Sequence, residues 1–298
     1  MVYHLRGQEY FSKTGMPLAV FRTKADDRLE MHTHDFYELV VVSAGYGRHH
    51  INGNNYPIAA GDVFVILSGS EHTYEDCKQL EIYNVLFDIS KLNLPASDLY
   101  KLPAYHALFS LEPGIRGVSG SAHHYLTLPQ SDLDEISCIL EQITEELDGH
   151  QPGYRGMATS LFFQAIVFLS RRYACIAIPE LWQWLKLGRV MSYIEQQTSE
   201  ALTLEQLARI AGVSVSTLHR AFRAALRLSP MEYVICRRLE KASALLRHTD
   251  LTITEIAFQT GFTDSNFFSR QFRKRFGSTP REFRQRSERP SSSVVIGR

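Results

Sequence analysis

The segment LTLEQLARIAGVSVSTLHRAF at residues 202–222 returns in altered form as LTITEIAFQTGFTDSNFFSRQF at residues 251–272. Leu202, Thr203, Ala208, Gly212 and Ser214 recur 49 positions on as Leu251, Thr252, Ala257, Gly261 and Thr263. After one inserted residue, Leu218, Arg220, Phe222 and Pro230 recur 50 positions on as Phe268, Arg270, Phe272 and Pro280. A repeat that keeps caps, glycines and apolar positions together restricts the local fold more than any other feature of the chain. Each copy reads as helix, tight turn, helix. Thr203 with Gln206, and Thr252 with Glu255, have the spacing of capping boxes. Gly212 and Gly261 fall where the first helix stops on a left-handed residue, and Ser214 and Thr263 are placed to cap the second.

In the second helices, Leu218 with Phe222, and Phe268 with Phe272, lie four apart and face the core. The opposite faces carry Ser216, His219, Arg220 and Arg223 in one copy and Asn266, Ser269, Arg270 and Arg273 in the other. An arginine fork matches the two acceptors of guanine and an asparagine amide pairs with adenine, so both stripes hold groups able to read base edges in a major groove. One copy alone would equally suit an amphipathic helix pair with an ordinary polar face; two matched copies argue for paired helix-turn-helix units. Between them, Met231 to about Arg247 reads as a helix packed through Tyr233, Leu239, Ala242, Leu245 and Leu246. About sixteen residues at 1.5 Å rise span roughly 24 Å. With a unit projecting from each end, the two recognition helices approach the ~34 Å of one DNA turn.

Charge agrees with this division. The formal net charge is zero, yet residues 1–187 hold 14 Lys and Arg against 22 Asp and Glu, leaving −8, whereas residues 188–287 hold 16 against 9, leaving +7. Only the C-terminal part is therefore suited to a polyanion.

The run Arg238-Leu239-x-x-Ala242-x-x-Leu245-Leu246, then Ile256-Ala257-x-x-x-Gly261-Phe262-x-Asp264, then Phe268-Ser269-Arg270-x-Phe272, Lys274, Gly277, Thr279-Pro280, Phe283 and Arg284, resembles the DNA-binding domain of AraC/XylS-type transcription regulators. The likeness covers about residues 188–287 and is specific. It implies base contacts from Ser216, His219 and Arg220 in one groove and from Ser265, Asn266 and Arg270 in the next, with phosphate contacts from Arg223, Arg273 and Lys274. One position departs: where the family places glycine before the first Ser-Pro, this chain has Arg227, opposite Gly277 of the second copy. A left-handed arginine costs on the order of 1 kcal/mol, so a turn of different construction is expected there.

The N-terminal half alternates short apolar runs with turn signals from residue 16 to about 110, as an all-β unit does. Asn52-Gly53 between apolar runs marks a hairpin, and GDVFVILSG (61–69) and LEIYNVLFDI (80–89) supply further strands. In MHTHDFYELVVV (31–42) a period of two puts His32, His34, Phe36, Glu38 and Val40 on one face. This half resembles the cupin barrel: His32, His34 and Glu38 are followed by Gly45, and Gly61, Gly69 and His72 match the second cupin motif, with Leu67 and Asp76 departing from its proline and asparagine. Such a ligand set suits iron, manganese or zinc, so this half alone leaves a metal-dependent oxygenase or isomerase and a sensor equally open. The DNA-reading half favours the sensor. Regulators of the AraC type use the barrel to bind a small effector, and there His32, His34, Glu38 and His72 would grip hydroxyl groups while Phe36 stacks on a sugar ring. On that reading the chain carries no catalytic residue, cofactor or metal. His49, His50, His123 and His124 belong to no motif and read as satisfying strand ends, and NVLFDISKL (84–92) faintly resembles rhamnose-responsive members.

Two further helices are expected. SDLDEISCILEQITEEL (131–147) aligns Leu133, Ile136, Leu140, Ile143 and Leu147 on one stripe, and YRGMATSLFFQAIVFLSRRY (154–173) is more apolar. In the family such helices pair two subunits; packing on their own barrel is the alternative. Cys77, Cys138, Cys175 and Cys236 are widely spaced with no Cys-x-x-Cys pair, which argues against a disulfide framework and a thiolate zinc site and leaves four buried, reduced thiols as the expectation. No apolar run has membrane length and the first twenty residues lack a signal-peptide layout, so a cytoplasmic protein is expected. The resulting reading is an α+β chain: a cupin-like effector-binding barrel over 1–129, a helical dimerisation segment over 130–176, a linker over 177–187, an all-α domain with two helix-turn-helix motifs over 188–287, and a polar, mobile tail over 288–298. Its expected partners are double-stranded promoter DNA, a small polar effector such as a sugar, a second copy of the chain and RNA polymerase, with no membrane.

Overall fold

The computed structural model describes residues 2–25, 30–92, 94, 96–116, 126–175 and 179–288. Two compact units divide the chain, one comprising Met1–Ser192 with Ala224–Leu226 and the other Tyr193–Arg223 with Arg227–Arg298.

The first unit opens with β1 (Tyr3–Leu5), α1 (Gly7–Thr14), β2 (Leu18–Ala25), β3 (His32–His34), β4 (Tyr37–Ile51), β5 (Asn54–Ala59), β6 (Asp62–Ile66) and β7 (His72–Phe87). With β8 (Leu126–Thr127) they form one sheet of order β1-β3-β7-β4-β6-β8, with β2 added to β7 and β5 to β4. The Asn52-Gly53 hairpin joins β4 to β5, both residues having positive φ (48° and 80°) as a tight turn of this hand requires. Val40, Val42, Tyr56, Ile58, Phe64, Ile66, Tyr74 and Ile82, drawn from four strands of this sheet, make one buried cluster containing no helical residue. The sheet therefore wraps a core of its own in the manner of a cupin-like fold, its path ending at β1 and β8. The alternate residues Leu39, Val41, Val63, Val65 and Val85 are buried on the other face in a cluster with helical side chains. Burial on both faces explains why this stretch of β4 reads as a continuous apolar run. Where β4 and β7 shift register, between Val42 and Arg48, Gly45 adopts φ 72° and a Cβ there would lie 2.1 Å from the Gln79 carbonyl oxygen. No side chain fits that approach.

The all-β reading of residues 16 to about 110 stops too late. After β7 come α2 (Ala96–Leu99), α3 (Pro103–His106), a π-helical turn (Ala107–Leu111) and α4 (Glu112–Arg116). Ala104, Tyr105, Leu108 and Phe109 join the sheet-and-helix core, so their apolar run is helical packing rather than a strand. Next come α5 (Gln130–Gly149), α6 (Tyr154–Ala174) and α7 (Pro179–Gln196). All five residues of the expected α5 stripe are buried, together with Ile139. They lie in one cluster with Phe162, Ile166, Leu169 and Tyr173 of α6. This stripe packs within its own chain, each large side chain contributing about 1.5–3 kcal/mol of burial. From Pro179 onward the segment expected to be a linker is the helix α7, which continues to Gln196.

The second unit holds α8 (Leu204–Ala211), α9 (Val215–Leu226), α10 (Pro230–His248), α11 (Ile253–Gln259), α12 (Ser265–Phe276) and α13 (Pro280–Glu288). α10 is its central post, burying Val234, Leu239, Ala242 and Leu246. Around it pack Ile256, Phe262, Phe268 and Phe272 of the second repeat, while Leu207, Leu218 and Phe222 are buried in the first. The caps differ from expectation at two places. Thr203 accepts from the Gln206 amide, but the Gln206 side chain donates to the Tyr193 hydroxyl at 2.6 Å, so only half a capping box forms; the Thr252–Glu255 box is complete. Asp264, not Thr263, caps α12, accepting from the Asn266 amide at 2.8 Å, whereas Ser214 caps α9 as expected. Ser229 and Glu232 add a further box at the start of α10.

The turn after α9 is not built differently. Arg227 takes φ 59° and ψ 12°, close to the 71° and 0° of Gly277, and both amides donate to the carbonyl four residues back. The geometry is thus kept at the energetic cost of a left-handed arginine. Arg227→Gly should remove about 1 kcal/mol of strain, partly offset by the greater freedom of glycine in the unfolded chain. A urea unfolding midpoint raised by a net gain below about 1 kcal/mol is expected; a lowered midpoint would contradict this reading of the turn. The four cysteines are all free, but none is buried: Cys138 and Cys175 are exposed, and Cys77 and Cys236 are intermediate. His123, His124 and residues 289–298 of the tail lie outside the described residues.

Candidate functional site

The sequence motifs fall at two places, the outward faces of α9 and α12 in the second unit and the interior of the sheet in the first. In the second unit, burial of Leu218, Phe222, Phe268 and Phe272 turns the opposite faces of α9 and α12 outward. Ser216, Arg220, Arg223, Asn266, Arg270, Arg273 and Lys274 are exposed, and His219 and Ser265 are half-buried. All nine residues of the sequence reading are thus at least partly exposed. Arg270 rests over the Phe267 ring at 6.0 Å, an attraction that helps hold the guanidinium. Arg223 is the most constrained: it pairs with Glu232 at 2.8 Å and donates to the Arg227 carbonyl at 3.0 Å. A phosphate would have to compete for it, at the modest cost of an exposed ion pair. Three consecutive cations, Arg273, Lys274 and Arg275, close α12, where the helix dipole favours positive charge.

In the first unit, register brings the histidines together. His32 and His72 are direct partners across β3 and β7, which places their rings on one face with centroids 4.2 Å apart. The strand breaks at residues 35 and 36, yet His32, His34, Phe36, Glu38 and His72 are all buried. Nδ1 of His32 donates to the Glu30 carbonyl at 2.9 Å and Nδ1 of His34 to the Phe36 carbonyl at 2.7 Å, a tautomer that leaves the Nε2 lone pair of each free for a ligand. Glu38 Oε2 lies 3.4 Å from His34 Nε2 and 3.7 Å from His72 Nε2. Burial pushes the Glu38 carboxyl up to about 8 and the His34 imidazole down to about 4, and it holds the His72 imidazole well below its ordinary range, with His32 and His49 adding to the effect. The cluster is a polar island in an apolar core. Donor atoms of His32, Glu38 and His72 all lie within 4.8 Å of one another, the spacing that a single ion needs; His34 is not of this group.

Two sequence expectations change. Phe36 is not an open platform: it stacks on His34 at 4.4 Å and 10° and meets Tyr10 and Phe11 of α1 edge-on. His49 does not tie up a strand end. It is fully buried, stacked between Phe64 (4.7 Å) and Tyr74 (5.2 Å), with its ring 5.8 Å from His72. His50 points away, to Glu75 at 3.4 Å. Asn84 was missed altogether; it is registered opposite Val40, so it shares that inner face, and its Oδ1 is buried without a hydrogen-bond partner. Period-two alternation from Leu80 through Ile82 was the signal for it.

An inner cluster of imidazoles and a carboxylate in one unit, and two outward cationic recognition helices in the other, define a class: a ligand-responsive, DNA-binding transcription regulator. Comparison with known proteins narrows this. An AraC-like ligand binding domain is matched over residues 14–166 and a helix-turn-helix domain over residues 207–286. The chain is 30% identical over 282 residues to the HTH-type transcriptional activator RhaS of Escherichia fergusonii, covering 94% of this chain and 96% of that one. It is 33% identical over 257 residues to the RhaS of Klebsiella pneumoniae, covering 85% and 87%. Among solved structures, an AraC-type DNA-binding domain regulator from Chromobacterium violaceum is similar at 34% identity, covering 35% of this chain and 94% of its own with a TM-score of 0.34. The chain belongs to the AraC family of transcription regulators. No helix among the described residues is long and apolar enough to cross a membrane.

Proposed function

We propose that this protein is a cytoplasmic, sugar-responsive transcription activator that binds promoter DNA as a homodimer and recruits RNA polymerase, without catalytic activity of its own. The observation that carries the reading is the buried cluster of His32, His34, Glu38 and His72 in a chain that also presents two arginine-bearing recognition helices. Buried polar groups of this kind are costly unless something satisfies them, and a polyhydroxylated molecule supplies donors and acceptors for both imidazole and carboxylate. Asn84 and His49 extend the same polar lining, and Phe36 backs His34 rather than the ligand. Base reading falls to Ser216, His219, Arg220, Ser265, Asn266 and Arg270, and phosphate contact to Arg223, Arg273 and Lys274. For the dimer, the outer side of α6 offers Met157, Leu161, Phe163, Val167 and Phe168, all at least partly exposed, since the α5 stripe is already used within the chain. The effector controls DNA binding only as far as its affinity differs between the free and DNA-bound forms.

A thermal-shift screen of monosaccharides tests the effector reading. An inducer at 100 times its dissociation constant should stabilise the protein by about 2.7 kcal/mol, and the shift should vanish in Asn84→Leu. A panel of sugars that leaves the melting temperature unchanged would remove the sugar assignment. The rival, a metal-dependent oxygenase or isomerase fused to a DNA-binding module, predicts turnover of a substrate; likeness to transcription activators over 94% of the chain favours the sensor.

A further inference from the structure

We infer that Glu195 and Arg237, with Tyr233, Glu240 and Arg275, are positioning residues for DNA reading: one polar network holds the recognition helices α9 and α12 at a single separation, so that the protein discriminates between operators by spacer length. None of the five is among the residues assigned to base or phosphate contact. The inference deepens the DNA-binding reading and rests on α9 and α12 being the helices that meet the bases.

Three observations carry it. The apolar core that packs α12 against α10 holds residues from α10 onward and none of α8 or α9, and apolar contact is non-directional, so this core does not by itself set one repeat against the other. The polar network, by contrast, is continuous from one recognition helix to the other. The Tyr233 ring meets Phe222, on the inner face of α9, edge-on at 6.0 Å, and its hydroxyl donates to Glu195 Oε1 at 3.3 Å. Arg237 forks onto Glu195, Nη2 donating to Oε2 at 3.2 Å and Nε meeting Oε1. The same guanidinium donates through Nη1 to Glu240 Oε2, while Glu240 Oε1 accepts from Nη2 of Arg275, on α12, at 3.4 Å. Lastly, the central pair is withdrawn from water, the Glu195 and Arg237 side chains being 11% and 17% exposed. The net stability such a pair adds over apolar packing is small or negative, whereas its fork geometry admits one arrangement. Residues around Glu195 tie the same segment to both repeats: the Tyr193 hydroxyl accepts from the Gln206 side chain of α8 at 2.6 Å, and the Ser199 hydroxyl donates to the Gln259 carbonyl of α11 at 2.9 Å. This segment precedes the match to a helix-turn-helix domain, which begins at residue 207.

The test measures binding of the full-length protein to the duplex it selects from a random pool, to the same duplex with its spacer one base pair shorter or longer, and to half-operators carrying one sub-site each. One base pair moves a sub-site by about 3.4 Å and turns it by about 35°. The parent should lose about tenfold or more in affinity on either altered spacer, within the range in which residues of one network couple. In Glu195→Gln and Arg275→Ala that loss should shrink to about threefold or less, while binding to each half-operator stays within about twofold of the parent. Arg275→Lys, which keeps a charge beside Glu240, should retain the parental discrimination. Arg275→Ala alters only the outer, half-exposed link, so it keeps its fold even where circular dichroism shows Glu195→Gln unfolded. Parental discrimination in Arg275→Ala and in folded Glu195→Gln overturns the inference, as does a parent indifferent to spacer length. A loss on the half-operators equal to that on the whole operator, with the salt slope of Arg275→Ala reduced by about 1, makes Arg275 a phosphate contact and overturns it too. Half-operators bound as tightly by Arg220→Ala and Arg270→Ala as by the parent would remove the base-reading assignment, and the inference with it; that failure is told apart because the network is intact in those variants.

Discussion

Replacing both Arg220 and Arg270 with alanine is expected to weaken binding to the protein's selected operator by about 2–6 kcal/mol, each arginine accounting for roughly 1–3. Additivity is expected because the two side chains sit on different recognition helices, α9 and α12, and share no partner. Both are exposed and neither forms an ion pair with a neighbouring carboxylate among the described residues, so truncation should act on DNA binding without disturbing the fold. Base preference should relax at two positions, one for each arginine. Arg273→Ala provides the contrast: a phosphate contact is lost, affinity falls on all sequences alike, and the salt slope drops by about 1. Competition binding on the operator and its single-base variants reads both effects. A double variant with parental affinity and preference would show that these stripes do not face the bases.

Phe268→Ala should act through stability instead. Phe268 is fully buried on the inner side of the same helix, with the rings of Phe262 and Phe272 at 5.1 and 5.6 Å. Removing it leaves a cavity in the small core around α10, at a cost of about 3–5 kcal/mol. Hydrogen exchange at the α11 and α12 amides should speed up by two to four orders of magnitude, while Arg270→Ala leaves it unchanged. Equal protection in Phe268→Ala and parent would mean that the second repeat is not held by this aromatic core.

The contrast between these two residues, two positions apart, shows why the C-terminal half was legible. Helical period alone separates Phe268 from Arg270, the caps recur, and a second copy checks the first. What was misread there was local: Gln206 gives its side chain to Tyr193 rather than to the box, and Asp264 caps where Thr263 was expected. Arg227 shows that global packing can impose a left-handed turn on a residue that disfavours it. The N-terminal half was legible only in part. Short-range alternation identified His32, His34 and Glu38, but register across 40 residues is what sets His32 against His72, and no local pattern encodes that. The same long-range pairing brings in His49 and Asn84. Helices α1 to α4 escaped because each is only four to eight residues long, too short to display a helical period.

The most direct test of the central claim, that one chain reads two successive major grooves, is the affinity for the selected operator when five base pairs are inserted between its two recognition sub-sites. α10, with 19 residues and roughly 28 Å long at 1.5 Å per residue, lies between α9 and α12 in the chain, and half a turn of extra DNA would rotate one sub-site to the far side. The expected result is a loss of affinity comparable with that of the Arg220→Ala/Arg270→Ala variant. Parental affinity for the lengthened operator would contradict it.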